Sequence, residues 1–319
     1  METCKNRAKR ISLAIKEAVK KGGFKVISEG GEALQIEVND GYVITASINP
    51  YLSLVAFSAE FMELKEQRDF IIELLNELNS TTLIGGFTVK EDKIGFKAGF
   101  SYKDSLISAD AILSVIKSMG FCIKDAHSII SESIKSPNTI RYFYEEYLFL
   151  DEERRCFEFA SKEKISKRFP KVQKALEGHF PIKRKFPFTT SVSYEIGTEK
   201  IPLNICICTA IEIGCYLFSC SILYGFSEKL GQPLSSEVAL FLSNILKIGC
   251  ASIKYKGHLE LSAQLPFYDS IISDNAIFEM TKEIESLGKN LSCLLYRLTE
   301  KEIDFDTFKE QALKIKTGI

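Results

Sequence analysis

Few residues in this sequence have the types and spacing that acid–base or nucleophilic chemistry requires. The chain of 319 residues contains three histidines, His127, His179 and His258. Asp125, His127 and Ser128 lie within four consecutive positions of one predicted helix. A catalytic relay needs side chains that the fold brings together from separate elements, so these three are too close along the chain to form one. We therefore predict no catalytic residues and no enzymatic activity.

Patterns that hold metals or cofactors are also missing. No glutamate stands three positions before a histidine, so the chain lacks the Glu-x-x-His signature of di-metal helical bundles. Gly85-Gly86 and Gly95-x3-Gly99 match neither a phosphate-binding loop nor a dinucleotide fingerprint. The two side chains of an adjacent acidic pair such as Glu145-Glu146 diverge by about 100° on a helix. They are therefore poor candidates for a catalytic pair of carboxylates that flanks the bond to be cleaved. We predict no cofactor and no metal.

The cysteines and the apolar stretches indicate a compartment. The nine cysteines are an odd number, are scattered and form no Cys-x-x-Cys motif, which is typical of reduced thiols acting as small hydrophobic residues. Residues 1–22 contain no apolar segment of the kind found in secretory signals. The apolar stretch 201–226 is interrupted by proline and glycine and alternates as paired strands do, so we expect no membrane span there. These features predict a cytoplasmic protein without membrane contact.

One stretch of the chain, residues 161–185, is strongly basic. It carries nine basic residues against Glu163 and Glu177, a local charge of +7, in a chain whose net charge is −1. Phenylalanines interleave the basic residues, so the stretch could clamp phosphates and stack bases. The alternative is a solvated connector whose basic residues compensate the acidic run 145–153, and we favour this alternative. The residues expected to contact an acidic partner are Arg168, Lys183, Arg184 and Lys185.

The elements that must position all these residues occur twice along the chain. Residues 74–134 and residues 240–298 each predict a helix end, a hairpin, a serine-flanked loop and a long helix. Ile94, Phe96, Ala98 and Ile112 recur 165 residues later as Leu259, Leu261, Ala263 and Ile277. A slip of one residue is needed near the first strand of the hairpin. The joint order of these features indicates an internal duplication.

The upstream parts of the two copies are similar in outline. In the first copy, an amphipathic helix stopped by Gly22-Gly23 precedes strands at 33–38, 42–47 and 52–59 and a helix at 66–79. Each copy therefore predicts the order α-β-β-β-α-β-β-α. Because strands with one apolar face need cover, we expect an α+β fold of two similar repeats, with mostly antiparallel sheets and helices packed on one face. The two repeats would form an intramolecular pseudo-dimer.

These elements resemble the YbjN family and, beyond it, the type III secretion chaperone-like fold. The resemblance is carried by the helix end at 74–79, the hairpin strands Phe87–Lys90 and Ile94–Phe100, the helix from Ser108, and the second-copy segments Leu240–Leu246, Ala251–Tyr255, Leu259–Leu265 and the helix from Ser273. Members of such families are single α+β domains that often dimerise, and the secretion chaperones hold an extended segment of a partner. The resemblance thus implies a pseudo-dimer within one chain and a non-catalytic binding role.

The sequence as a whole predicts two repeats and a connector. The first repeat covers residues 1–135, a helical basic connector covers 136–185, and the second repeat with a C-terminal helix covers 186–319. We expect a protein-binding module, an adaptor or chaperone-like protein that takes an extended segment of a partner protein. One alternative is binding of nucleic acid or another acidic partner through residues 162–185, and a second is an enzyme of an unrecognised kind. The chain would be a monomer with pseudo-twofold symmetry or a homodimer.

Overall fold

A computed structural model describes residues 3–31, 33–38, 41–82, 84–135, 162–180, 184–185, 191–198, 201–212, 215–222, 225–254 and 257–315. These residues form eight helices and fourteen strands. They fall into an N-terminal unit, residues 4–135, and a C-terminal unit, residues 162–314. The fold is α+β, and every strand pairing among the described residues is antiparallel.

The N-terminal unit is a six-stranded sheet with helices across one face. Its helices are α1 (Cys4–Gly22), α2 (Arg68–Thr81) and α3 (Ala109–Lys135). Its strands are β1 (Lys25–Gly30), β2 (Ala33–Glu37), β3 (Val43–Asn49), β4 (Leu54–Glu63), β5 (Gly86–Lys90), β6 (Lys93–Ser101) and the short β7 (Ser105–Leu106). The order in the sheet is β1-β2-β3-β4-β6-β5. As predicted, glycines stop α1: the helix ends at Gly22, and Gly23, whose φ is +68°, caps it.

Alternation along the strands places the core between this sheet and helices α1 and α3. Phe57, Phe96 and Phe100 point to the same side and are buried. The rings of Phe87 and Phe96 meet edge to face, with 4.8 Å between their centroids. Helix α3 lies over this cluster and over α1. The opposite face of the sheet is left without a covering helix from its own unit.

The C-terminal unit repeats this architecture. Its elements are α4 (Lys162–Leu176), β8 (Arg184–Lys185), β9 (Ser191–Thr198), β10 (Ile201–Glu212), β11 (Cys215–Ile222), α5 (Phe226–Leu230), α6 (Leu234–Ile245), β12 (Cys250–Ile253), β13 (Leu259–Pro266), β14 (Ile271–Ile272), α7 (Asp274–Thr299) and α8 (Phe305–Lys314). Its sheet has the order β8-β9-β10-β11-β13-β12, which is the order of the first sheet strand for strand.

The stretch predicted as a basic connector, residues 136–185, contains one described helix. Helix α4 packs against α7 and against β9 and β10, as α1 packs against α3 and β3. Val172 and Leu176 of α4 are fully buried. Residues 136–161 lie outside the described part of the chain. Helix α4 therefore occupies, in the C-terminal unit, the place that α1 occupies in the N-terminal unit.

The structure adds strands to the predicted order of elements. Strand β1 precedes the three strands predicted before α2, and all six of its residues are exposed. A strand with no buried side has no apolar alternation, so its sequence, Lys-Val-Ile-Ser-Glu-Gly, carries no strand signal. The short strands β7 and β14 are further additions, and they pair with each other.

The two units contact each other through two short strands and at the edges of their sheets. In the β7–β14 pair, Leu106 lies opposite Ile271, and these residues are 165 positions apart. The edge strands β5 and β12 are each contacted by a helix of the other unit. Asn244 of α6 donates a hydrogen bond from Nδ2 to the Val89 carbonyl, and the Ile253 amide donates to Asn76 Oδ1 at 2.9 Å. Such contacts cover sheet edges that would otherwise pair with other chains.

Within the described residues, no helix combines the length and the apolar character needed to cross a membrane.

Candidate binding groove

The face of the first sheet that α1 and α3 leave uncovered is polar. Because side chains alternate along a strand, every second residue of a strand projects from this face. Their partners on the neighbouring strands project from the same face. They line a groove that crosses four strands and has a volume of about 440 Å³. The lining residues on this face are Val43 and Thr45 on β3, Ser58 and Glu60 on β4, Thr88 and Lys90 on β5, and Lys93, Gly95 and Lys97 on β6. We call this cavity the groove.

The C-terminal end of α6 forms one wall of the groove. Asn244 is a lining residue, and Lys97 holds this wall to the sheet. The Lys97 ammonium donates hydrogen bonds to the carbonyl of Asn244, at 3.1 Å, and to that of Leu246. The last carbonyls of a helix have no partner within it, and a cation there is favourably placed in the helix dipole. The groove is thus built by both units.

Burial of the Lys97 side chain disfavours its charged form and lowers its pKa to about 8. In the unfolded chain the same amine has an ordinary pKa near 10.5. Between these two values the unfolded chain binds more protons than the folded chain, so stability rises with pH across that window. Below pH 8 both states are protonated, and the contribution of Lys97 is constant.

We expect this contribution to disappear in Lys97→Met. Relative to that variant, the wild type should gain about 1–2 kcal/mol of unfolding free energy between roughly pH 7.5 and 9.5. Loss of the hydrogen bonds to α6 adds an offset that does not depend on pH. Urea denaturation at several pH values measures the difference, and Lys25→Met on the exposed strand β1 is the control. Parallel pH profiles for wild type and Lys97→Met would contradict the expectation.

The two other groove lysines differ in their partners. Lys93 forms an ion pair with Glu60 at 3.0 Å, and this hydrogen bond raises the pKa of Lys93. Lys90 lies opposite Lys93 in the strand register, is exposed and forms no ion pair with any residue that the structure describes. Three lysines and one glutamate give the groove a net charge of +2.

A glycine forms part of the floor of the groove. A Cβ atom at Gly95 would lie 2.8 Å from the Ala59 carbonyl oxygen and 3.2 Å from Thr88 Oγ1. The first of these distances is too short for a carbon atom, so the close approach of β6 to β4 here requires glycine. Because it has no side chain, Gly95 contributes only backbone atoms to the lining of the groove.

None of the described residues that were predicted to contact an acidic partner lines the groove. Arg168 lies on α4, with its guanidinium carbon 4.3 Å from the centroid of the Phe267 ring, a cation–π contact within the chain. Arg184 and Lys185 form β8 and pair with Ser193 and Val192 of β9. Lys183 lies outside the described residues. Contact of these four residues with an acidic partner stays a prediction.

His127 and His179 have aromatic neighbours. His127 meets Tyr42 and Phe61 edge-on, with centroids 6.0 and 6.5 Å apart, and His179 lies 4.8 Å from the Phe278 ring. The described parts of the chain contain no group of three or more metal-binding side chains. Cys4 and Cys293 are exposed, and Cys122, Cys215, Cys220 and Cys250 are buried.

The groove residues were not predicted from the sequence. Thr45, Ser58 and Lys97 each occupy the polar side of an alternating strand, which is the only sequence signal they carry. Thr45 lies opposite Ser58, and Ser58 lies opposite Lys97, so the three form a row across the sheet. This row depends on which strands are neighbours, and the sequence does not state that β4 pairs with β6.

Comparison with known proteins gives no relative for this chain. No protein-family model matches it, no curated protein matches its sequence, and no solved structure matches its fold.

Proposed function

We propose that this chain is a non-catalytic protein-binding module, adaptor or chaperone-like, that takes an extended segment of a partner protein into the groove. The observation that carries the proposal is the groove itself, a cavity of about 440 Å³ on the uncovered face of the first sheet. Four strands spaced about 4.8 Å apart span about 14 Å, the length of about four extended residues. The hydroxyls of Thr45, Ser58 and Thr88 on this face can bind the polar groups of an extended backbone.

We also propose that the two units descend from one duplicated domain and form a pseudo-dimer. The common strand order of the two sheets supports this, as does the pairing of Leu106 with Ile271 across the seam. In a symmetric pair the same surface of each unit contacts the other, and these two residues are equivalent at the offset of 165. The resemblance to the YbjN family is part of the same proposal.

Selection of random peptides displayed against the full chain tests the proposed binding site. Thr45→Trp should fill the groove, while Ser47→Trp places the same ring on the same face of β3 outside it. We expect selected peptides to bind the wild type and Ser47→Trp alike, and to bind Thr45→Trp at least about tenfold more weakly. Failure to select any binding peptide would overturn the proposal, as would equal binding to the two variants.

A further inference from the structure

The C-terminal unit contains a carboxylate at the position that corresponds to Gly95 of the groove. Glu260 on β13 is the counterpart of Gly95, 165 positions earlier, and Lys254 is the counterpart of Lys90, 164 positions earlier. Lys254 Nζ lies 3.4 Å from Glu260 Oε1, and Ser221 Oγ lies 3.5 Å from the other carboxylate oxygen. In this unit, the lysine at the end of the edge strand therefore has a carboxylate partner from the neighbouring strand.

The N-terminal unit keeps the lysine and lacks that carboxylate. Gly95 has no side chain, and Lys90 lies opposite Lys93 in the register of the hairpin. Like charges directly opposite on neighbouring strands repel each other, and the carboxylate of Glu60 is already paired with Lys93. An anionic group entering beside Gly95 would give Lys90 the partner that Lys254 has in Glu260.

We infer that the groove selects an acidic segment of a partner protein, with a carboxylate that lies beside Lys90, above the backbone of Gly95. This inference rests on the proposed function and specifies the chemistry of the partner. The net charge of +2 fits a segment with a few carboxylates, and Glu60 would repel a continuous row of phosphates. Phe96, the one aromatic residue among the described lining residues, is buried, so the groove offers no ring on which bases could stack.

The test uses the full chain and three labelled probes, with binding measured by fluorescence anisotropy. The first probe is a peptide of about twelve residues in which glutamate and threonine alternate, since alternate side chains of an extended segment face the sheet. The second has glutamine in place of each glutamate, and the third is a single-stranded oligothymidine with the same number of charges. We expect the acidic peptide to bind most tightly, and salt to weaken its binding.

Two pairs of variants locate the contact. Lys90→Gln should weaken binding of the acidic peptide by about fivefold to tenfold, while Lys25→Gln, which removes a lysine from the same sheet outside the groove, should leave it unchanged. Gly95→Glu should abolish binding, because it supplies the carboxylate within the chain. Gly95→Ala introduces the same Cβ atom next to Ala59 without the charge, and it should retain more binding than Gly95→Glu.

The outcomes separate this inference from the proposed function. If both peptides bind equally and Thr45→Trp weakens both, the groove binds extended segments but does not select acidic ones, and the inference alone fails. If neither peptide binds, the inference fails, and the selection of random peptides decides separately whether the proposed function fails as well. Tighter binding of the oligothymidine than of the acidic peptide, with loss in Lys90→Gln, would overturn the inference in favour of nucleic acid.

Discussion

Replacing Gly85 or Gly249 by alanine is expected to lower the free energy of unfolding by about 3 kcal/mol at either site. These glycines precede β5 and β12 and have φ values of +73° and +82°, in the left-handed region. A Cβ atom would lie 2.2 Å from the Lys97 carbonyl oxygen at Gly85, and 1.9 Å from the Ser262 carbonyl oxygen at Gly249. The left-handed conformation costs a non-glycine residue about 1–2 kcal/mol. The overlap with the backbone of the neighbouring strand adds about 1–3 kcal/mol.

Gly23→Ala is the matched control for these substitutions. Gly23 has a φ of +68°, but no atom lies within 4 Å of the position its Cβ would take. We therefore expect only the conformational cost there, about 1–2 kcal/mol. Urea denaturation, with one spectroscopic probe in each unit, measures the three changes. Equal losses for Gly23→Ala and Gly85→Ala would contradict the close approach of the two strands.

The hairpins of the two units show what the sequence could predict. The offset of 165 derived from Ile94 and Leu259 holds for the second strand of each hairpin, where these residues pair with Val89 and Ile253. Val89 and Ile253 are 164 positions apart, so the slip of one residue falls at the turn between the strands. Apolar alternation and turn residues are local properties, which is why the sequence reveals them.

Helix α4 shows why the packing of a segment was not predicted, although a helical connector was predicted over residues 136–185. Val172, Ala175 and Leu176 of this helix are buried, and they lie in a stretch dominated by lysine and arginine. Pro170 lies inside the helix, although proline in a sequence usually marks an interruption. Composition therefore indicated a solvated connector, whereas packing against α7 decides the structure. Tertiary contacts outweigh local propensity in such a segment.

The groove could not be predicted from the sequence for a different reason. Its residues come from four strands and from α6, so it exists only once β4 pairs with β6 and the C-terminal unit packs on the sheet. Lys97 illustrates this, because the carbonyls that it contacts at Asn244 and Leu246 are almost 150 positions away. No local pattern in the sequence carries that information. The one sequence signal for Lys97 is its place on the polar side of an alternating strand.

Removing the Asn79 side chain is expected to cost about 2–3 kcal/mol of unfolding free energy. Asn79 is buried near the end of α2, donates from Nδ2 to the Phe87 carbonyl at 3.0 Å and accepts at Oδ1 from the Phe87 amide. Asn79→Ala leaves both backbone groups of a buried edge-strand residue without this partner, and an unsatisfied buried group costs about 1–3 kcal/mol. Thermal or urea unfolding measures the loss.

Ser243→Ala should have a similar effect in the C-terminal unit, because a different side chain makes the same two contacts there. Ser243 Oγ donates to the Ala251 carbonyl at 3.0 Å and accepts from the Ala251 amide at 2.8 Å. Ser243 lies 164 positions after Asn79, and Ala251 lies 164 positions after Phe87. Ser80→Ala is the control, since Ser80 Oγ bonds only a helix carbonyl, that of Glu77, and we expect a loss below about 0.5 kcal/mol.

Hydrogen exchange distinguishes this explanation from a general loss of packing. If Asn79 closes the edge of β5, the Phe87 amide should exchange faster in Asn79→Ala by a larger factor than the amides of β3, which do not depend on this side chain. An opened edge also presents free backbone groups, so the variant should associate at high concentration more readily than Ser80→Ala. Uniform acceleration of exchange across the first sheet would mean that Asn79 stabilises the N-terminal unit through packing and not through the edge of β5.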